Sequence, residues 1–271
     1  MLTVVSIFRG HCGKSGKYKH PALAEISMIP DFYKTKGLFI TGTDTGVGKT
    51  LVAGGIARIL ADEGLKVGVF KPVATGCRSE MGQLVSGDAM FLAMCAETDY
   101  PLSVIAPVCY KLAAAPIVCV QAEEREIDYQ QIAAMYNYLC SCCDVVLVEG
   151  IGGVLVPLDE EYTILDIAAK MGLPAVIVAR PTLGTINHTL LTVKAVRDAG
   201  LPIAGVVING YNAATADIAE ETAPDVISLF GKVPILAVIG LDEDSDVESG
   251  RLGQMALAGL DQTDWKKLCG L

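Results

Sequence analysis

One short segment, LFITGTDTGVGKT at residues 38–50, constrains the fold of this chain more than any other. An apolar run leads into a loop of glycine and threonine, which ends in Gly48, Lys49 and Thr50, where a helical pattern begins. A bound polyphosphate requires inward-facing backbone N–H groups, glycines that allow close approach, and a lysine charge. Thr50 adds a hydroxyl suited to the accompanying magnesium ion. The segment therefore predicts a strand, a phosphate-binding loop and a helix, in that order.

The spacing of this loop differs from the most common phosphate-binding pattern. Thr43 occupies the position of the usual first glycine, and Gly42 lies one residue further back. A glycine-rich turn before an ordinary helix is the alternative interpretation. The strand, the loop, the Lys49–Thr50 pair and the helix nevertheless occur together in the required order, and this combination favours nucleotide binding.

Short apolar runs alternate with helical patterns along the rest of the chain. The apolar runs are 38–41, 66–73, 144–150, 174–179, 203–209 and 233–239, and the helical patterns are 49–63, 128–142, 163–171, 186–199 and 214–230. Continuous apolar runs indicate strands that are covered on both faces. We therefore expect an α/β fold of the P-loop NTPase kind, with a mostly parallel, doubly wound sheet, helices on both faces and a single domain.

Charge divides the chain into two parts. The net charge is −10, and residues 1–36 carry Arg9 and five lysines against two acids, so +4 there leaves −14 for the remainder. Such an acidic body disfavours nucleic acid as a partner. We interpret residues 1–36 as a basic, non-catalytic extension and residues 37–271 as the functional domain. A disordered tail, initiation at Met28 and a targeting peptide all fit the extension.

Hydropathy and cysteine content indicate in which cellular compartment the protein is expected. The longest uncharged stretch, residues 199–216, is interrupted by proline, glycine and asparagine, so we expect no membrane span. Nine cysteines without a secretory signal pattern indicate a reducing compartment, and we expect a cytoplasmic protein. Cys140, Cys142 and Cys143 form the densest group. A metal or redox cluster would need a further Cys or His pair nearby, so we interpret them as packed thiols.

Two charged side chains stand where buried strands are predicted to end, which is the edge where parallel sheets bind ligands. Lys71 follows an apolar run, and burying a lysine there is costly unless an anion compensates it. Glu149 ends another run, and a carboxylate that faces a phosphate loop is suited to magnesium. Gly150, Ile151 and Gly152 follow, and the glycines allow a nucleotide to lie against the backbone. The alternatives are a lysine that reaches solvent and a solvent-facing glutamate.

Further candidate site residues lie at a predicted helix start and after the other predicted strands. Asp88, in SGDAM, fits either a helix amino terminus or a site residue. Thr185 can cap a helix beginning near Ile186, and the free N–H groups there suit a carboxylate ligand. His188 is better explained as a helix residue than as a general base. Asn209 presents a donor and an acceptor that fit a purine edge, and the guanine-reading Asn-Lys-x-Asp pattern is absent, which favours adenine.

Six segments, in this order and at fitting distances, resemble the dethiobiotin synthetase family: GTDTGVGKT, KPVATG, SGDAM, VLVEGIGG, LGTINHTLLT and GVVIN. The resemblance covers roughly residues 37–260, and the longer phosphate loop is the family's own form. It implies a cyclo-ligase of biotin biosynthesis that uses ATP, Mg²⁺ and CO₂ to close a ureido ring on 7,8-diaminononanoate, through a carbamate and a carbamic-phosphoric anhydride. It also implies a homodimer with its sites at the subunit interface, small-molecule substrates, and no membrane partner.

The resemblance assigns roles by motif matching. Lys49 and Lys71 would be catalytic and hold the phosphates and the carbamate, while Thr50, Asp88 and Glu149 would arrange the magnesium ion. The implied nucleotide-binding set is Gly46, Val47, Gly48, Lys49, Thr50, Leu51, Asp88, Glu149, Gly150, Ile151, Gly152, Asn209, Gly210, Gly240, Leu241 and Asp242. The implied substrate-binding set is Thr75 for the diamine and Gly184, Thr185, Ile186 and Asn187 for the carboxylate. The run ILAVIGLDED departs from the family's usual Leu-Gly-x-Ile-Pro.

Three other functions fit parts of the pattern. A nucleotide-switch ATPase of the ParA/MinD type shares the sheet and the loop, but it carries an early signature lysine where this chain has Gly42-Thr43-Asp44. Another ATP-dependent amide-forming synthase would usually add a glutaminase domain, for which this chain is too short. A degenerate regulatory domain would not be expected to retain Lys49, Lys71, Asp88 and Glu149 together.

Overall fold

The computed structural model describes residues 29–271, and Asp31–Leu271 form one compact unit. In chain order the strands are β1 Gly37–Gly42, β2 Val67–Phe70, β3 Val73–Ala74, β4 Arg78–Glu80, β5 Gln83–Val85, β6 Val108–Cys109, β7 Val145–Gly153, β8 Ala175–Ala179, β9 Ile203–Tyr211 and β10 Ile235–Gly240. The helices are α1 Lys49–Asp62, α2 Gly87–Cys95, α3 Leu102–Ile105, α4 Pro116–Glu123, α5 Tyr129–Cys142, α6 Ile164–Met171, α7 Thr185–Asp198, α8 Ile218–Gly231, α9 Gln254–Leu260 and α10 Trp265–Cys269.

A six-stranded parallel sheet in the order β10-β9-β8-β1-β7-β2 organises the molecule. Strand β1 is buried along its whole length, and its Leu38 and Ile40 pack with Ile56 and Leu60 of α1. Because apolar side chains leave both faces of such strands, helices must cover both faces to remove them from water. The predicted α/β fold of the P-loop NTPase kind is confirmed.

The pairing of β1 with β7 positions the candidate site. Ile40 lies opposite Glu149, and Gly42, the last residue of β1, lies opposite Gly153. On its other side β1 pairs with β8, where Gly42 lies opposite Val178. The loop that follows β1 therefore emerges between the carboxyl ends of β7 and β8, beside Glu149.

Most predicted elements lie within a few residues of their observed bounds, and the exceptions have local causes. The apolar run 66–73 is two strands, because β2 ends at Phe70 and β3 begins at Val73 after Pro72, which has no N–H to donate to the sheet. Helix α8 begins at Ile218, because the Asp217 side chain accepts hydrogen bonds from the N–H groups of Ala219 and Glu220.

The segment just before β1 packs on the body of the compact unit. The ring of Phe32 meets the ring of Tyr136 edge-on, with centroids 5.4 Å apart. The Lys34 ammonium donates to the carbonyl oxygens of Lys170 and Met171, at 3.0 and 3.1 Å, and so covers the carboxyl end of α6. The compact unit thus begins upstream of the predicted start at residue 37. Most of the predicted extension, including Met28, lies outside the described residues.

Among residues 29–271, none of the helices combines the length and the apolar character that crossing a bilayer would require.

Candidate active site

The phosphate loop, residues 43–48, ends in a backbone conformation that opens α1. Gly48 has φ 92° and is the amino-terminal cap of α1, a conformation that glycine adopts without strain. Lys49 follows with its side chain folded back over the loop, where its Nζ atom donates to the main-chain oxygen of Asp44 at 2.9 Å. The Lys49 side chain is therefore buried and already aimed at the centre of the loop.

Lys71 is the second cation of the site and follows β2. Its Nζ atom lies 2.7 Å from Glu149 Oε1 and 2.7 Å from Asp88 Oδ2. Lys71 is 3% exposed and Glu149 is 1% exposed. A lysine so deeply buried requires compensating anions, and the two carboxylates supply them. The structure therefore brings three of the sequence-predicted residues into one cluster, although they come from separate parts of the chain.

Thr50 joins this cluster to the phosphate loop. Its hydroxyl donates to Glu149 Oε1 at 2.9 Å, the same oxygen that Lys71 contacts. The other oxygen, Glu149 Oε2, is buried and has no hydrogen-bond partner. A buried carboxylate oxygen without a partner is costly, and a cation would satisfy it.

This donor set suits magnesium rather than an ion held by the protein alone. No group of three or more His, Cys, Asp or Glu side chains that could hold a metal occurs among residues 29–271. Magnesium is usually held by one or two carboxylates together with substrate phosphates. Asp88, Glu149 and Thr50 beside a phosphate loop match that requirement, with Glu149 Oε2 as the free ligand.

The pKa values of the cluster follow from burial and from the opposed charges. Burial lowers the pKa of Lys49, although the Glu149 carboxylate acts against it. Burial disfavours the charged form of Lys71 too, but Glu149 and Asp88 outweigh it and hold the pKa of Lys71 above its usual value. For Asp88 burial is outweighed by Lys71, which lowers its pKa. Burial raises the pKa of Glu149 despite Lys71, so the carboxylate whose Oε2 atom lacks a partner is also less well stabilised in its charged form than Asp88.

Asn209, predicted to contact a base, lies at the phosphate loop. Its Nδ2 atom donates to the Val47 carbonyl oxygen at 3.0 Å. A Cβ atom added to Gly48 would lie 2.1 Å from the same nitrogen, which shows how closely the amide approaches the loop. Gly210, which follows in β9, has φ 85°.

The residues predicted on the adenine side lie where β10 ends. Gly240 is its last residue, and Leu241 is half exposed. The Asp242 carboxylate accepts hydrogen bonds from Ser245 Oγ and from the N–H of Ala256, at the start of α9. Asp242 therefore holds the loop against α9 through its Oδ2 atom, while its Oδ1 atom accepts the N–H of Asp244 at 3.1 Å.

The predicted substrate residues lie at two separate places. Thr75 borders a cavity of about 240 Å³ that Asp88 also lines. The Gly184–Asn187 segment forms the start of α7, and Thr185 Oγ1 there is buried without a hydrogen-bond partner. Strand β8 precedes α7, and β2 precedes Lys71 and Thr75. The ends of these two strands are three strand spacings apart, roughly 14 Å.

The sequence did not single out three residues that the structure places at the loop. Asp44 accepts the Lys49 ammonium, and its carboxylate pairs with the Arg180 guanidinium. Thr45 Oγ1 lies 3.5 Å from the position that a Cβ atom on Gly152 would take, so it faces the glycines after Glu149. Asp44 and Thr45 lie inside the phosphate-loop motif, and this position was the sequence feature that could have identified them. For Arg180 the corresponding feature was only its position after a predicted strand.

The cysteine group predicted to be packed is only half-buried. Cys140, Cys142 and Cys143 are each partly exposed and none forms a disulfide. The Cys143 thiol donates to the Tyr100 hydroxyl at 3.5 Å. Nothing in their surroundings within residues 29–271 forms a metal site.

The structure combines a parallel sheet, a glycine-rich loop after strand β1 with its lysine, a carboxylate on the neighbouring strand β7 and another in the first turn of α2. This combination defines a nucleotide-binding protein of the P-loop class. A family model described as an AAA domain matches residues 36–249. The chain is 40% identical to the ATP-dependent dethiobiotin synthetase of Thermodesulfovibrio yellowstonii, over 83% of this chain and 96% of that protein. It is 38% identical to that of Bacillus subtilis strain 168, over 75% and 86%. The chain belongs to the dethiobiotin synthetase family.

Solved structures resemble the fold at much lower identity. The septum site-determining protein MinD of Pyrococcus horikoshii, complexed with Mg-ADP, matches with a TM-score of 0.54 and 20% identity, over 87% of this chain and 94% of that chain. MinD of Aquifex aeolicus matches with a TM-score of 0.55 and 16% identity, over 88% and 98%. These matches show a shared fold, and they carry no information on activity.

Proposed function

We propose that this chain is an ATP-dependent dethiobiotin synthetase, which closes a ureido ring on 7,8-diaminononanoate with CO₂ in biotin biosynthesis. Its family membership supports this activity. The observation that carries the assignment is the buried contact of Lys71 with Glu149 and Asp88, because it places a second fixed cation next to the phosphate loop. A protein that only binds or hydrolyses a nucleotide has less need of a lysine buried at that cost.

The reaction brings two anions together, and the side chains of the site are suited to that task. One substrate amine attacks CO₂, forms an N–C bond and loses a proton, which gives a carbamate. A carbamate oxygen then attacks the γ-phosphorus, the bond to the bridging oxygen breaks, and ADP leaves. The second amine attacks the carbamoyl carbon of this mixed anhydride, loses a proton, and phosphate leaves with the C–O bond electrons. We assign Lys49 to the phosphates and Lys71 to the carbamate.

Charge repulsion between carbamate and phosphate is the main barrier in this scheme. Fixed cations in a site with little water lower such a barrier, and removing one donor of this kind typically costs about 2.7–4 kcal/mol. The burial of Lys49 and Lys71 supports this role, because charges out of water act more strongly on a ligand. The scheme does not call for a histidine acid or base.

Thr50, Asp88 and Glu149 are the residues we assign to magnesium. The ion would neutralise charge on the β- and γ-phosphates. The partnerless Glu149 Oε2 supports the assignment. Exchange of Glu149 for glutamine should raise the magnesium concentration needed for half-maximal activity at least tenfold. The control Glu63→Gln, which removes an exposed ion pair between the end of α1 and Lys266 of α10, should leave that concentration unchanged.

For the nucleotide, we assign the phosphates to residues 46–51 and the ribose and base to the Gly150–Gly152 backbone, Asn209–Gly210 and Gly240–Asp242. Asn209 retains its oxygen for an exocyclic amine, because its nitrogen already donates to Val47. The half-exposed Leu241 offers apolar surface to a base. Thr75 is assigned to the diamine, because it borders the cavity that Asp88 lines.

A homodimer with its sites at the interface would explain the separation between Lys71 and the start of α7. Leu155, Leu183 and Leu191 are exposed by 57%, 86% and 59%. Leu183 lies two positions before α7 begins, Leu191 lies in the second turn of α7, and Leu155 and Leu191 line the same cavity. Such a group of exposed leucines is typical of an association surface. A Leu191→Asp variant should elute as a monomer and lose activity, whereas Leu229→Asp, exposed on α8, should remain dimeric. A wild-type monomer in light scattering would refute the homodimer.

Residues 1–36, the predicted extension, are proposed to take no part in this chemistry. No site residue falls among them, and the family model begins only at residue 36.

The direct test is incubation of the purified chain with diaminononanoate, bicarbonate, ATP and magnesium, followed by mass detection of the cyclic urea. The expected result is one dethiobiotin and one ADP per turnover, both abolished when the diamine is omitted or EDTA is added. A nucleotide-switch ATPase would instead release ADP without the diamine and form no urea. That outcome would reject the proposed function.

A further inference from the structure

Arg180 forms an ion pair with the phosphate loop. It directly follows β8, the strand that lies beside β1, and its guanidinium NH2 contacts Asp44 Oδ2. The two side chains are 41% and 51% exposed. They are 136 positions apart in sequence, so the fold alone brings them together. Neither residue is among those assigned above to the nucleotide, the magnesium ion or the substrates.

Asp44 controls the geometry of the loop through three contacts. Its Oδ1 atom accepts the N–H of Thr45 at 2.7 Å, and its main-chain oxygen accepts the Lys49 ammonium at 2.9 Å. Its carboxylate accepts the guanidinium of Arg180. A displacement of Asp44 would therefore move both Thr45 and the atom that holds Lys49.

The ion pair between Arg180 and Asp44 also changes the net charge of the phosphate loop. A loop that receives a triphosphate must avoid uncompensated negative charge, yet Asp44 places a carboxylate inside it. Lys71 is already paired with Glu149 and Asp88, and Lys49 donates to a neutral carbonyl. Arg180 is the cation in contact with the Asp44 carboxylate.

We propose that Arg180 is a positioning residue for nucleotide binding, which neutralises Asp44 and holds it so that the loop can accept polyphosphate. The inference rests on the proposed ATP-dependent function and deepens it. Arg180 acts through Asp44 and does not touch the nucleotide. Its removal leaves a bare carboxylate beside the incoming phosphates, while removal of both charges restores a neutral loop.

A double-mutant cycle tests this relationship. The variants are Arg180→Gln, Asp44→Asn and the combination of the two, and the probe is a non-hydrolysable ATP analogue with magnesium, titrated by calorimetry. Arg180→Gln should weaken binding about fivefold, an effect that shrinks as salt is added. Asp44→Asn keeps the acceptor for the Thr45 N–H. The combined variant should bind the analogue about threefold more tightly than the Arg180→Gln variant does. Arg180→Lys should remain within about twofold of wild type, because the charge is kept.

Kinetics separate positioning from general damage. The KM for ATP should follow the binding data, while kcat at saturating ATP should change less than twofold. As a control, Arg58→Gln removes two comparable exposed contacts of an arginine on α1, one with Asp62 and one with Glu97. This variant should alter neither the KM for ATP nor kcat. If the combined variant binds as weakly as Arg180→Gln, Arg180 acts on the ligand itself and the inference fails. If wild type forms no urea and binds no nucleotide, the proposed function fails instead.

Discussion

Asn209 and Val47 are joined by a hydrogen bond of 3.0 Å, from the side-chain amide at the end of β9 to the main-chain oxygen of the phosphate loop. Strand β8 lies between β9 and β1 in the sheet, so this bond ties the loop to a strand that is not its neighbour. The proposed base side and the proposed phosphate side are thereby held at a fixed separation.

The approach of Asn209 makes Gly48 irreplaceable. In Gly48→Ala the new methyl would meet Asn209 Nδ2 at 2.1 Å, and the residue would keep a φ of 92°. We expect a loss of stability of about 2–4 kcal/mol and nucleotide binding weakened more than tenfold. Gly64→Ala is the matched control, because φ is 83° there but no atom lies within 4 Å. Chemical denaturation and analogue titration measure both effects. Equal behaviour of the two variants would show that backbone strain alone accounts for them.

Lys71→Gln should separate nucleotide binding from ring closure. Lys71 lies outside the phosphate loop, so the affinity for ATP should stay within a few-fold of wild type. Turnover with diamine and bicarbonate should fall by about 10²–10³ or more, because a fixed charge at the reacting groups is lost. Turnover within a few-fold of wild type would contradict the role proposed for Lys71.

The same change should also destabilise the fold, because it leaves two carboxylates without their cation. Breaking a buried pair typically costs about 3–5 kcal/mol. Lys71→Gln combined with Asp88→Asn should recover part of that stability, since one of the stranded charges is removed, yet should remain inactive. Recovery of activity together with stability would mean that Lys71 is only structural.

Two truncations should differ in stability. A chain that starts at Met28 should keep wild-type activity, because no proposed site residue is removed. A chain that starts at Gly37 loses Phe32, which is 6% exposed, and the Lys34 contact with the end of α6. Loss of a buried phenylalanine typically costs about 3–5 kcal/mol, so the thermal midpoint should drop by well over 5 °C. Equal midpoints, or a folded but inactive chain from Met28, would contradict these expectations.

Thiol labelling should distinguish two groups of cysteines. Burial raises the pKa of Cys95 to about 12 and that of Cys269 to about 12. At pH 8 only about one part in ten thousand of each would be thiolate, so alkylation there should await unfolding. Among the cysteines of residues 29–271, the half-buried Cys140, Cys142 and Cys143 should include the sites labelled first. Peptide mapping after brief iodoacetamide treatment gives the order, and early labelling of Cys95 would contradict it.

Local pattern accounts for most of the fold and for the centre of the site. Lys71 and Glu149 were recognisable because each is a charge at the end of an apolar run, and the carboxyl ends of parallel strands meet at one edge. The contact between them, at 2.7 Å, follows from β2 and β7 being neighbours, an order that a single sequence does not specify.

Long-range and short elements escaped prediction for physical reasons. Arg180 and Asp44 each look like ordinary loop residues, and only the pairing of β8 with β1 brings them together. Helix α3 has four residues and is too short for a periodic pattern to emerge. The resemblance placed Asp242 in the nucleotide-binding set, and nothing local predicted that its carboxylate accepts a hydrogen bond from the N–H of Ala256 in α9. Such contacts depend on tertiary structure and leave no local signal.

The bond from Lys49 to the Asp44 carbonyl means that the phosphate loop itself supplies an oxygen partner for the Lys49 ammonium group. Such a loop needs no trapped anion to keep its shape between catalytic cycles. At Lys49, an arriving nucleotide would replace the Asp44 oxygen by a phosphate oxygen. Binding would therefore begin from a preformed phosphate loop rather than from a disordered one.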